Sequence, residues 1–412
     1  IRENPQEAEA ISHKLMLKAG LIRRLASGIY TFLPLGYKAL RNVEKIIRVE
    51  MESKGALELF MSALIPKELL EESGRWEVFG PEMFRLKNRE ERDFCLGPTH
   101  EESFTVTARN EIKSAKNLPL TLYQIQTKFR DELRPRFGII RCREFMMKDA
   151  YSFDKDELGL DISYSAMYDA YTKIFKRCGL DIVIADADSG AMGGSGSQEF
   201  MVVNDIGEDE IVVCSSCGYA ANIEKAEAVT IKRDLNETLL EKELIHTPNA
   251  KTIDDLTSLF SCSSQQFAKS LVLIADSEPV MAVLRGDREL SLNKLTSILG
   301  CSNLDMADEL TIKNLTKADV GFASPVGIKC KVICDNELMN MVNFITGANK
   351  TDYHYKNVNL SDFSSYEFHD IRLVEDNDLC PRCNEPLKIV KTIEVGHIFK
   401  LGDKYSKALD CN

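Results

Sequence analysis

The sequence has no apolar run that approaches the ~20 residues of a membrane-spanning helix, and its acidic residues outnumber its basic ones. There are 64 Asp and Glu residues against 52 Lys and Arg, which gives a formal net charge of −12. This balance argues against a general polyanion-binding protein, although a local basic patch can still bind nucleic acid. The first residues, Ile1-Arg2-Glu3-Asn4, do not resemble a secretory signal. We therefore expect a soluble, cytoplasmic protein without a membrane span.

The composition is that of a globular protein with more than one domain. The chain has 412 residues, of which 44% are hydrophobic and 28% are charged, so we expect two or three domains. The 12 cysteines could indicate a disulfide-rich protein. Disulfide scaffolds are small and secreted, however, so reduced thiols are the better prediction for a chain of this size without a signal.

The segment 122–154 carries the most informative pattern. Alternating side chains on either side of the turn Leu133–Gly138 predict an antiparallel hairpin with a long basic loop. Five arginines gather near this turn: Arg130, Arg134, Arg136, Arg141 and Arg143. A half-solvated sheet explains any one of them, but the set should repel itself unless carboxylates or polyanions neutralise it. Because guanidinium groups bind phosphate oxygens in pairs and a Phe can stack on a purine, we predict a nucleotide phosphate site.

Two Cys-x-x-Cys pairs stand far apart in the sequence. Cys214 and Cys217 form the first pair, and Cys380 and Cys383 form the second. Two such pairs fit a structural zinc site with four thiolate ligands, closed to substrate. A buried or redox-active dithiol is the alternative for either pair alone. We predict structural Zn²⁺, which would clip together the two crossings into an inserted domain.

A short motif, Gly97-Pro98-Thr99-His100-Glu101-Glu102, places a tight turn before a helix. Thr99 and Glu102 have the spacing of a capping box, which is the structural alternative to a binding role. That alternative leaves Glu101 unexplained. We expect His100 to be structural or to face solvent.

Between residues of about 223 and about 378 the pattern changes to Thr-, Asn- and Ser-rich turns that separate alternating helices and strands. Strands are predicted at 271–274, 280–284 and 329–334, and helices at 289–299 and 337–344. This segment reads as an independent α/β domain inserted into the first one.

The strings Phe129-Arg130-x-Glu132 and Arg141-x-x-x-Phe145 resemble motif 2 of the class II aminoacyl-tRNA synthetases. The fuller sequence resembles the bacterial-type prolyl-tRNA synthetases along the whole chain. The resemblance implies an α/β (α+β) fold: an antiparallel sheet flanked by helices, interrupted by an inserted α/β editing domain. It also implies ATP, Mg²⁺, proline and tRNA(Pro) as substrates and partners, and an activity as proline–tRNA ligase.

The resemblance assigns roles to the motif 2 residues. Arg130 would bind the α-phosphate of ATP and would lie on the side of the site where the proline carboxylate reacts. Glu132 would meet the adenine, Arg141 the terminal phosphates, and Phe145 would stack on the adenine ring. The reaction would be in-line attack of the proline carboxylate on the α-phosphorus, with little acid–base chemistry.

The same resemblance places proline against the Gly97–Glu102 motif. Thr99 and Glu101 would bind the imino group, which suits a secondary ammonium that carries two N–H donors and needs an acceptor carboxylate. His397, in the string Glu394-Val395-Gly396-His397-Ile398-Phe399, would lie near the proline pocket, with a core histidine as the alternative. The glycine-rich run 191–200 matches a family element that often reads S-H-E-F, from which Gln198 departs.

The insertion resembles the editing domain of bacterial prolyl enzymes, which hydrolyses alanine wrongly attached to the tRNA. Lys269, Asp335 and His354 match its functional positions, and Gly321–Pro325 matches its G-x-x-x-P loop. Their structural alternatives are a surface lysine, a strand-end cap and a solvated histidine. Editing is chemically sensible because a proline pocket cannot exclude the smaller alanine by contact energy alone.

These comparisons predict a domain order. Residues 1–222 would form the first part of the catalytic domain with motifs 1 and 2, residues 223–378 the editing domain, and residues 379–412 the return to the catalytic domain. The helix–strand–proline pattern before Pro66 resembles motif 1, which implies a homodimer. By the family pattern we expect the chain as given to end before motif 3 and the anticodon-binding domain.

Two other functions remain open from the sequence. A non-catalytic paralogue would keep the fold as a tRNA-binding or regulatory module, and the intact set Arg130, Glu132, Arg141 and Phe145 argues against it. A synthetase for another amino acid, such as threonine, is opposed by the Thr99/Glu101 motif.

Overall fold

The computed structural model describes residues 8, 10–188, 192, 194–232, 237–301 and 303–411. The first residues of the chain and two positions of the glycine-rich run, Ala191 and Gly193, lie outside this set. The chain divides into two compact units, one formed by residues 1–208 and 392–412 and the other by residues 209–391. Each unit is a mixture of helices and sheets, as predicted.

The first unit begins with helix α1 and a strand pair and continues as an alternation of helices and strands. Its helices and strands up to the unit boundary are α1 (Ile11–Lys18), β1 (Ile22–Ala26), β2 (Ile29–Phe32), α2 (Pro34–Glu52), β3 (Leu57–Glu58), β4 (Leu64–Pro66), α3 (Lys67–Glu72), α4 (Arg75–Val78), β5 (Arg85–Lys87), β6 (Asp93–Leu96), α5 (Glu101–Glu111), β7 (Leu120–Phe129), β8 (Glu144–Phe153), α6 (Glu157–Arg177), β9 (Val183–Ala187) and β10 (Gly196–Val203).

The second unit contains the inserted segment, and the chain then returns to the first unit. The elements are β11 (Asp209–Val213), β12 (Ala220–Asn222), β13 (Glu243–His246), α7 (Ile253–Phe260), β14 (Ala268–Ala275), β15 (Glu278–Arg285), α8 (Leu292–Leu299), β16 (Leu304–Met306), α9 (Glu309–Thr316), β17 (Lys331–Asp335), β18 (Phe344–Gly347), β19 (Tyr353–Val358), β20 (Glu367–His369), β21 (Lys388–Lys400) and α10 (Lys404–Ala408). Strand β21 runs across the boundary, and its residues from 392 belong to the first unit.

The predicted hairpin is confirmed as the strand pair β7–β8. The two strands are antiparallel over ten residues each, from Leu120 opposite Phe153 to Phe129 opposite Glu144. Strand β3 pairs parallel with the start of β7. One face of this sheet packs on helices α2 and α6 through a core that includes Met51, Tyr123 and Ile174. The apolar stripe of α6 therefore faces inward as its sequence predicts.

The loop after β7 is fixed by close backbone approaches. Gly28, in the β1–β2 turn, has a φ of +73°, and a Cβ there would lie 2.7 Å from Pro135. Gly138 has a φ of +70°, and its added Cβ would lie 2.8 Å from the His13 ring. Both positions need glycine, because any side chain would strain the backbone and displace a packed neighbour. The α1–β1–β2 segment thus holds the loop that carries the arginines.

The second unit is built on a five-stranded sheet with the order β16-β14-β15-β17-β20 and a three-stranded sheet with the order β13-β19-β18. Strands β14 and β15 form a hairpin, and β17 joins β15 in parallel. Neighbouring residues of these strands enter opposite cores: Val272 packs with Val332, whereas Leu273 packs with Ile333. Burial on both faces explains why the strands read as continuous apolar runs.

Three local expectations are wrong. The helical spacing of Ile11 and Leu15 in the sequence predicts that they form the inward stripe of α1, and the spacing of Val43 predicts the same for α2. All three side chains are exposed. The segment 337–344, predicted as a helix, is a 3₁₀ turn (Asn336–Asn340) followed by the start of β18. Among the described residues, no helix has the length and apolar character needed to cross a membrane.

Candidate functional site

Arg130 and Phe145 meet at the open end of the β7–β8 pair. Phe145 lies opposite Lys128, one pleat before Arg130, and the Arg130 guanidinium carbon is 5.5 Å from the Phe145 ring centroid. The backbone N–H of Arg130 donates to the Arg143 carbonyl at 2.9 Å. The Nε atom of Arg130 is buried and has no hydrogen-bond partner in the described part of the chain. An unpaired buried cationic donor is costly, and a bound anion would satisfy it.

Carboxylates neutralise part of the arginine cluster, which was one of the two outcomes that the sequence left open. Arg141 Nη2 donates to Glu132 at 2.9 Å, and the second amino group of Arg141 pairs with Glu208. Arg136 also pairs with Glu208. The hydrogen bond from Arg141 lowers the pKa of Glu132 below its ordinary value. The cluster is therefore a set of shared ion pairs near the sheet end.

The second face of β7 is buried and polar. The half-solvated alternative describes only the loop after β7, where Arg134 and Arg136 are exposed. Lys128 is fully buried, and its ammonium group donates to Asp149 on β8 at 2.8 Å and contacts His100 Nδ1. Since a lysine ammonium has no acceptor, Nδ1 must accept, and Nε2–H then donates to the Ser62 carbonyl at 2.9 Å. Burial lowers the pKa of His100. Of the two roles expected for His100, the structural one is correct, and the side chain does not face solvent.

Thr99 and Glu101 are held by an arginine that the sequence did not single out. Arg75 Nη2 donates to Thr99 Oγ1 at 2.8 Å, and Arg75 Nη1 donates to Glu101 Oε2 at 2.7 Å. The capping-box alternative is wrong, because α5 starts after His100 without a side-chain cap. Glu102 instead accepts from Arg75 and from Ser73. The motif thus presents a hydroxyl and a carboxylate side by side on a buried guanidinium.

His397 lies on β21 directly opposite Glu199 of β10. Its ring stacks on Phe399 with centroids 3.8 Å apart, and its Nδ1 is 3.3 Å from a carboxylate oxygen of Glu394. The other ring nitrogen, Nε2, is buried and has no partner among the described residues. Gln198, whose role was left open, donates to Asp186 at 3.0 Å and accepts from Tyr164 at 3.1 Å. It joins β9, β10 and α6.

In the second unit, Lys269 and Asp335 have identified partners. Lys269 Nζ donates to Glu289 at 2.8 Å, with the lysine side chain largely buried and the glutamate exposed. Asp335, at the end of β17, is buried and accepts from the backbone N–H groups of Glu337 at 2.9 Å and Ile371 at 3.1 Å. Burial raises the pKa of Asp335. The first of these bonds caps the 3₁₀ turn. The contacts of Asp335 are therefore those of a strand-end cap, which was its structural alternative.

His354 is buried on β19, so the alternative of a solvated side chain is wrong. Its Nδ1 lies 2.7 Å from the Thr247 hydroxyl, and the backbone of Gly321 also contacts the ring. Burial lowers the pKa of His354 to about 4. The imidazole is therefore neutral near pH 7. Its position against Gly321 joins it to the predicted G-x-x-x-P loop.

That loop is fixed by Asn349 and Gly347. The Asn349 side chain bonds the backbone of Ser324 in both directions, at 2.8 and 3.0 Å. A Cβ on Gly347 would lie 2.2 Å from the Ala323 carbonyl oxygen. The loop therefore lies flat on the end of β18, which turns its backbone groups toward His354.

The two Cys-x-x-Cys pairs come together in the second unit. The four Sγ atoms of Cys214, Cys217, Cys380 and Cys383 all lie within 4.8 Å of one another. Two of the distances, Cys214 to Cys383 and Cys217 to Cys380, are 3.5 Å. A tetrahedral zinc ion with bonds of ~2.3 Å separates its sulfurs by about 3.8 Å. The set therefore fits a four-thiolate site.

Both pairs open a chain reversal, as predicted. The Cys214 N–H donates to the Tyr219 carbonyl and the Cys380 N–H to the Glu385 carbonyl, at 2.8 and 2.9 Å. The Arg382 N–H points at Cys380 Sγ at 3.4 Å. The N–H groups of Cys217 and Ser216 lower the pKa of Cys214 to about 7. Such N–H groups favour the thiolate, which is the form that binds zinc.

Arg75 and Tyr405 are the functional candidates that sequence reasoning missed. The Arg75 guanidinium carbon lies 5.4 Å from the Tyr405 ring centroid, and Arg75 is 24 residues away from Thr99. No local pattern marks either residue, because both act through contacts that only the folded chain makes.

Comparison with known proteins gives consistent matches. The aminoacyl-tRNA editing domain family matches residues 247–362. A protein from Caldicellulosiruptor bescii named proline–tRNA ligase is 56% identical over 412 residues, which is 100% of this chain and 72% of that protein. A protein of the same name from Thermoanaerobacter sp. (strain X514) is 58% identical over 414 residues, covering 99% of this chain and 72% of the relative.

Solved structures are more distant. A Giardia lamblia prolyl-tRNA synthetase in complex with prolyl-adenylate is 22% identical with a TM-score of 0.44, covering 48% of this chain and 42% of its own. This partial overlap adds nothing to the sequence comparison. The identity above half over the full chain decides the assignment: the chain belongs to the proline–tRNA ligase family, the prolyl-tRNA synthetases, and contains an aminoacyl-tRNA editing domain.

Proposed function

We propose that this chain activates proline with ATP, transfers it to tRNA(Pro), and hydrolyses alanyl-tRNA(Pro) in its second unit. A carboxylate oxygen of proline attacks the α-phosphorus, the bond to the bridging oxygen breaks, and pyrophosphate leaves. A terminal hydroxyl of the tRNA then attacks the prolyl carbonyl and releases AMP. The observation that carries the proposal is the buried Nε of Arg130 beside the Phe145 ring, for which the described residues provide no hydrogen-bond partner.

Arg130 is the residue we assign to charge stabilisation. The attack adds negative charge at the α-phosphate, and a preorganised guanidinium stabilises that charge without reorganisation cost at the moment of reaction. Phe145 forms one wall for the adenine ring, and its ring centroid lies 5.5 Å from the Arg130 guanidinium carbon, so the two side chains can contact one nucleotide. Mg²⁺ enters with ATP as part of the substrate.

Glu132 and Arg141 form the outer part of the proposed ATP site. They are joined by a hydrogen bond of 2.9 Å, and Arg141 is partly exposed. ATP would use both: Glu132 as an acceptor for the adenine amino group and Arg141 as a donor to the terminal phosphates. Phosphate oxygens would take the place of the Glu208 carboxylate on Arg141, because carboxylates and phosphates each present two anionic oxygens that accept paired hydrogen bonds from a guanidinium.

Thr99, Glu101 and His397 form the proposed proline site, with Arg130 on the carboxylate side. The Phe129 N–H donates to the Gly97 carbonyl at 3.2 Å, which ties the end of β7 to the turn before Thr99. The imino group and the carboxylate of one small amino acid are thus bound from adjacent segments. None of the described residues bonds to His397 Nε2, so this nitrogen is available to a ligand.

We assign editing to Lys269, Asp335 and His354. We divide the chain into a catalytic domain at 1–222, an editing domain at 223–378, and a return to the catalytic domain at 379–412. The family match at 247–362 supports the editing role. Water attacks the ester carbonyl, with the tRNA hydroxyl and backbone donors of the Gly321–Pro325 loop assisting. We assign no single general base, and the low pKa of His354 makes a cationic role for it unfavourable near pH 7.

Zn²⁺ is the metal that the four cysteines fit best, because four thiolates in a tetrahedral arrangement select it. Its role would be structural, since all four ligand positions are taken by protein. It would hold the strand end after β11 to the segment before β21, both within the second unit.

A homodimer is supported by apolar side chains on the surface of the first unit. The exposed set on α2, β3 and the following loop is Leu35, Tyr37, Val43, Val49, Leu57 and Phe60. Exposed apolar residues that cluster on adjacent elements mark interaction surfaces. We place the activity in the cytoplasm, where tRNA is charged.

The proposal is tested by charging of tRNA(Pro) transcript with proline and, separately, by hydrolysis of purified alanyl-tRNA(Pro), both with the full-length protein. Both activities are expected, and prolyl-tRNA(Pro) should be hydrolysed more slowly than alanyl-tRNA(Pro). The proposal would be overturned by a folded protein that does not attach any amino acid to tRNA(Pro).

A further inference from the structure

One buried guanidinium, that of Arg75, binds three residues of the Gly97–Glu102 motif. Arg75 is 3% exposed. It donates to Thr99 Oγ1 at 2.8 Å, to Glu101 Oε2 at 2.7 Å and to both oxygens of Glu102 at 3.1 Å. Charge-assisted hydrogen bonds of this length in a water-poor site fix the geometry of their partners strongly.

Arg75 is itself held in place. It follows Gly74, whose φ of +76° turns the chain out of α3. Its guanidinium contacts two rings, 4.7 Å from the centroid of Phe79 and 5.4 Å from that of Tyr405. Two aromatic contacts restrict the freedom of the planar group to rotate.

The two carboxylates bound by Arg75 are not equivalent. Glu102 accepts from Arg75 with both oxygens and also from the Ser73 hydroxyl at 2.7 Å. Glu101 uses only Oε2 for Arg75, and its Oε1 has no hydrogen-bond partner in the part of the chain that the structure describes. Glu102 therefore uses both of its oxygens to hold Arg75 and Ser73, whereas Glu101 has one oxygen that can still accept a hydrogen bond from a ligand.

Thr99 is in the same position as Glu101. A hydroxyl oxygen has two lone pairs, and the Arg75 N–H occupies one of them on Thr99 Oγ1. Arg75 thus leaves one lone pair on Thr99 Oγ1 and the second carboxylate oxygen, Oε1, on Glu101. The pair Thr99/Glu101 then offers two acceptor atoms to a ligand.

We propose that Arg75 is a positioning residue that sets the amino-acid selectivity of this site, by leaving two acceptors on Thr99 and Glu101 for a secondary ammonium group. This inference rests on the proposed function. The proline ammonium has two N–H donors, and both are satisfied. A primary ammonium, as in alanine, has three donors, so one stays unpaired in a water-poor site. The site therefore discriminates by donor count in addition to side-chain size.

The test is Arg75→Lys and Arg75→Gln in amino-acid-dependent ATP–pyrophosphate exchange. We expect the KM for proline to rise about 10-fold or more and the ratio of kcat/KM for proline over alanine to fall by about 10-fold. The KM for ATP should stay as in the wild type. Arg85→Lys is the matched control, because Arg85 in the same region donates to the backbone carbonyls of Gly80 and Trp76 and to no side chain among the described residues.

Unchanged selectivity and KM for proline in a folded Arg75 variant would contradict the proposal. A wild-type protein without proline-dependent exchange would contradict the proposed function instead. Substrate analogues give a measurement that does not depend on folding of a variant. On the wild type, N-methylproline, with one donor, should be activated at least 10-fold less efficiently than proline, and equal activation would overturn the two-acceptor account.

Discussion

The guanidinium of Arg130 lies 5.5 Å from the Phe145 ring on the facing strand, and its Nε atom is buried without a partner. The register of β7 and β8 produces this arrangement, since Phe145 pairs with Lys128 and leaves Arg130 just beyond the last paired residues. Lys128 and Asp149 anchor the strands below it through a buried ion pair of 2.8 Å. The strand pair thus carries at its end the guanidinium that we propose to bind the α-phosphate.

Arg130→Ala should abolish adenylate formation while the fold remains intact. Loss of one preorganised donor to developing charge costs on the order of 100- to 1,000-fold in rate, and proline-dependent ATP–pyrophosphate exchange measures it. Arg89→Ala is the control, since Arg89 is exposed in the turn between β5 and β6. Near-normal exchange by Arg130→Ala would end the assignment of this residue.

Lys269→Ala should lower the rate of alanyl-tRNA(Pro) hydrolysis about 10-fold, because a largely buried cationic donor contributes on this scale. Proline activation should remain at the wild-type level, since Lys269 belongs to the other compact unit. Lys313→Ala serves as control, as its side chain is exposed and pairs only with Asp319. Equal loss of hydrolysis in both variants would count against a role for Lys269.

The purified protein should contain about one zinc ion per chain, measured by elemental analysis. Cys214→Ser should lower the zinc content and the thermal stability, because a lost ligand weakens a site that binds metal and folds together. Cys301→Ser should leave both unchanged, since Cys301 lies outside the four-sulfur cluster. Metal-free protein with unchanged stability in both variants would refute the zinc proposal.

His354 should make stability depend on pH. Its pKa in the folded chain is about 4, against an ordinary value of 6.5, so the unfolded chain binds the extra proton between these values. The contribution of His354 is fully present above pH 6.5 and is lost as the pH falls to 4. The loss amounts to about 3 kcal/mol of unfolding free energy.

Urea unfolding of the wild type and of His354→Gln between pH 4 and pH 7 gives the unfolding free energy of each protein as a function of pH. The difference between these two curves measures the contribution of His354. The difference should change across that window and be constant above it. Parallel curves would show that His354 does not titrate between the folded and unfolded states as described.

Local patterns predicted the parts of the fold that depend on local physics. The hairpin β7–β8, the buried strands β14 and β15, and the stripe of α6 follow from side-chain periodicity and were correct. The Cys-x-x-Cys reversals were correct because a knuckle is a local turn. Motif matches selected Arg130, Phe145, Thr99 and Glu101, whose roles stay predictions.

The remainder depends on contacts between distant parts of the chain. Arg75 binds Thr99 and Glu101 from 24 and 26 residues away, and no pattern in one sequence reports such a contact. The exposed face of α1 was misassigned because periodicity identifies an apolar stripe and not the surface that covers it. Lys128 was assigned to the polar face correctly, yet that face is buried, since Asp149 and His100 satisfy its charge.

The most direct test of the central claim is amino-acid-dependent ATP–pyrophosphate exchange by the full-length protein with proline, alanine, threonine and serine. The proposed site predicts strong exchange with proline, weak exchange with alanine, and little with the other two. Weak alanine activation would also give the editing unit its substrate. Absence of exchange with all four, from a protein that is folded, would contradict the account and favour a non-catalytic member of the family.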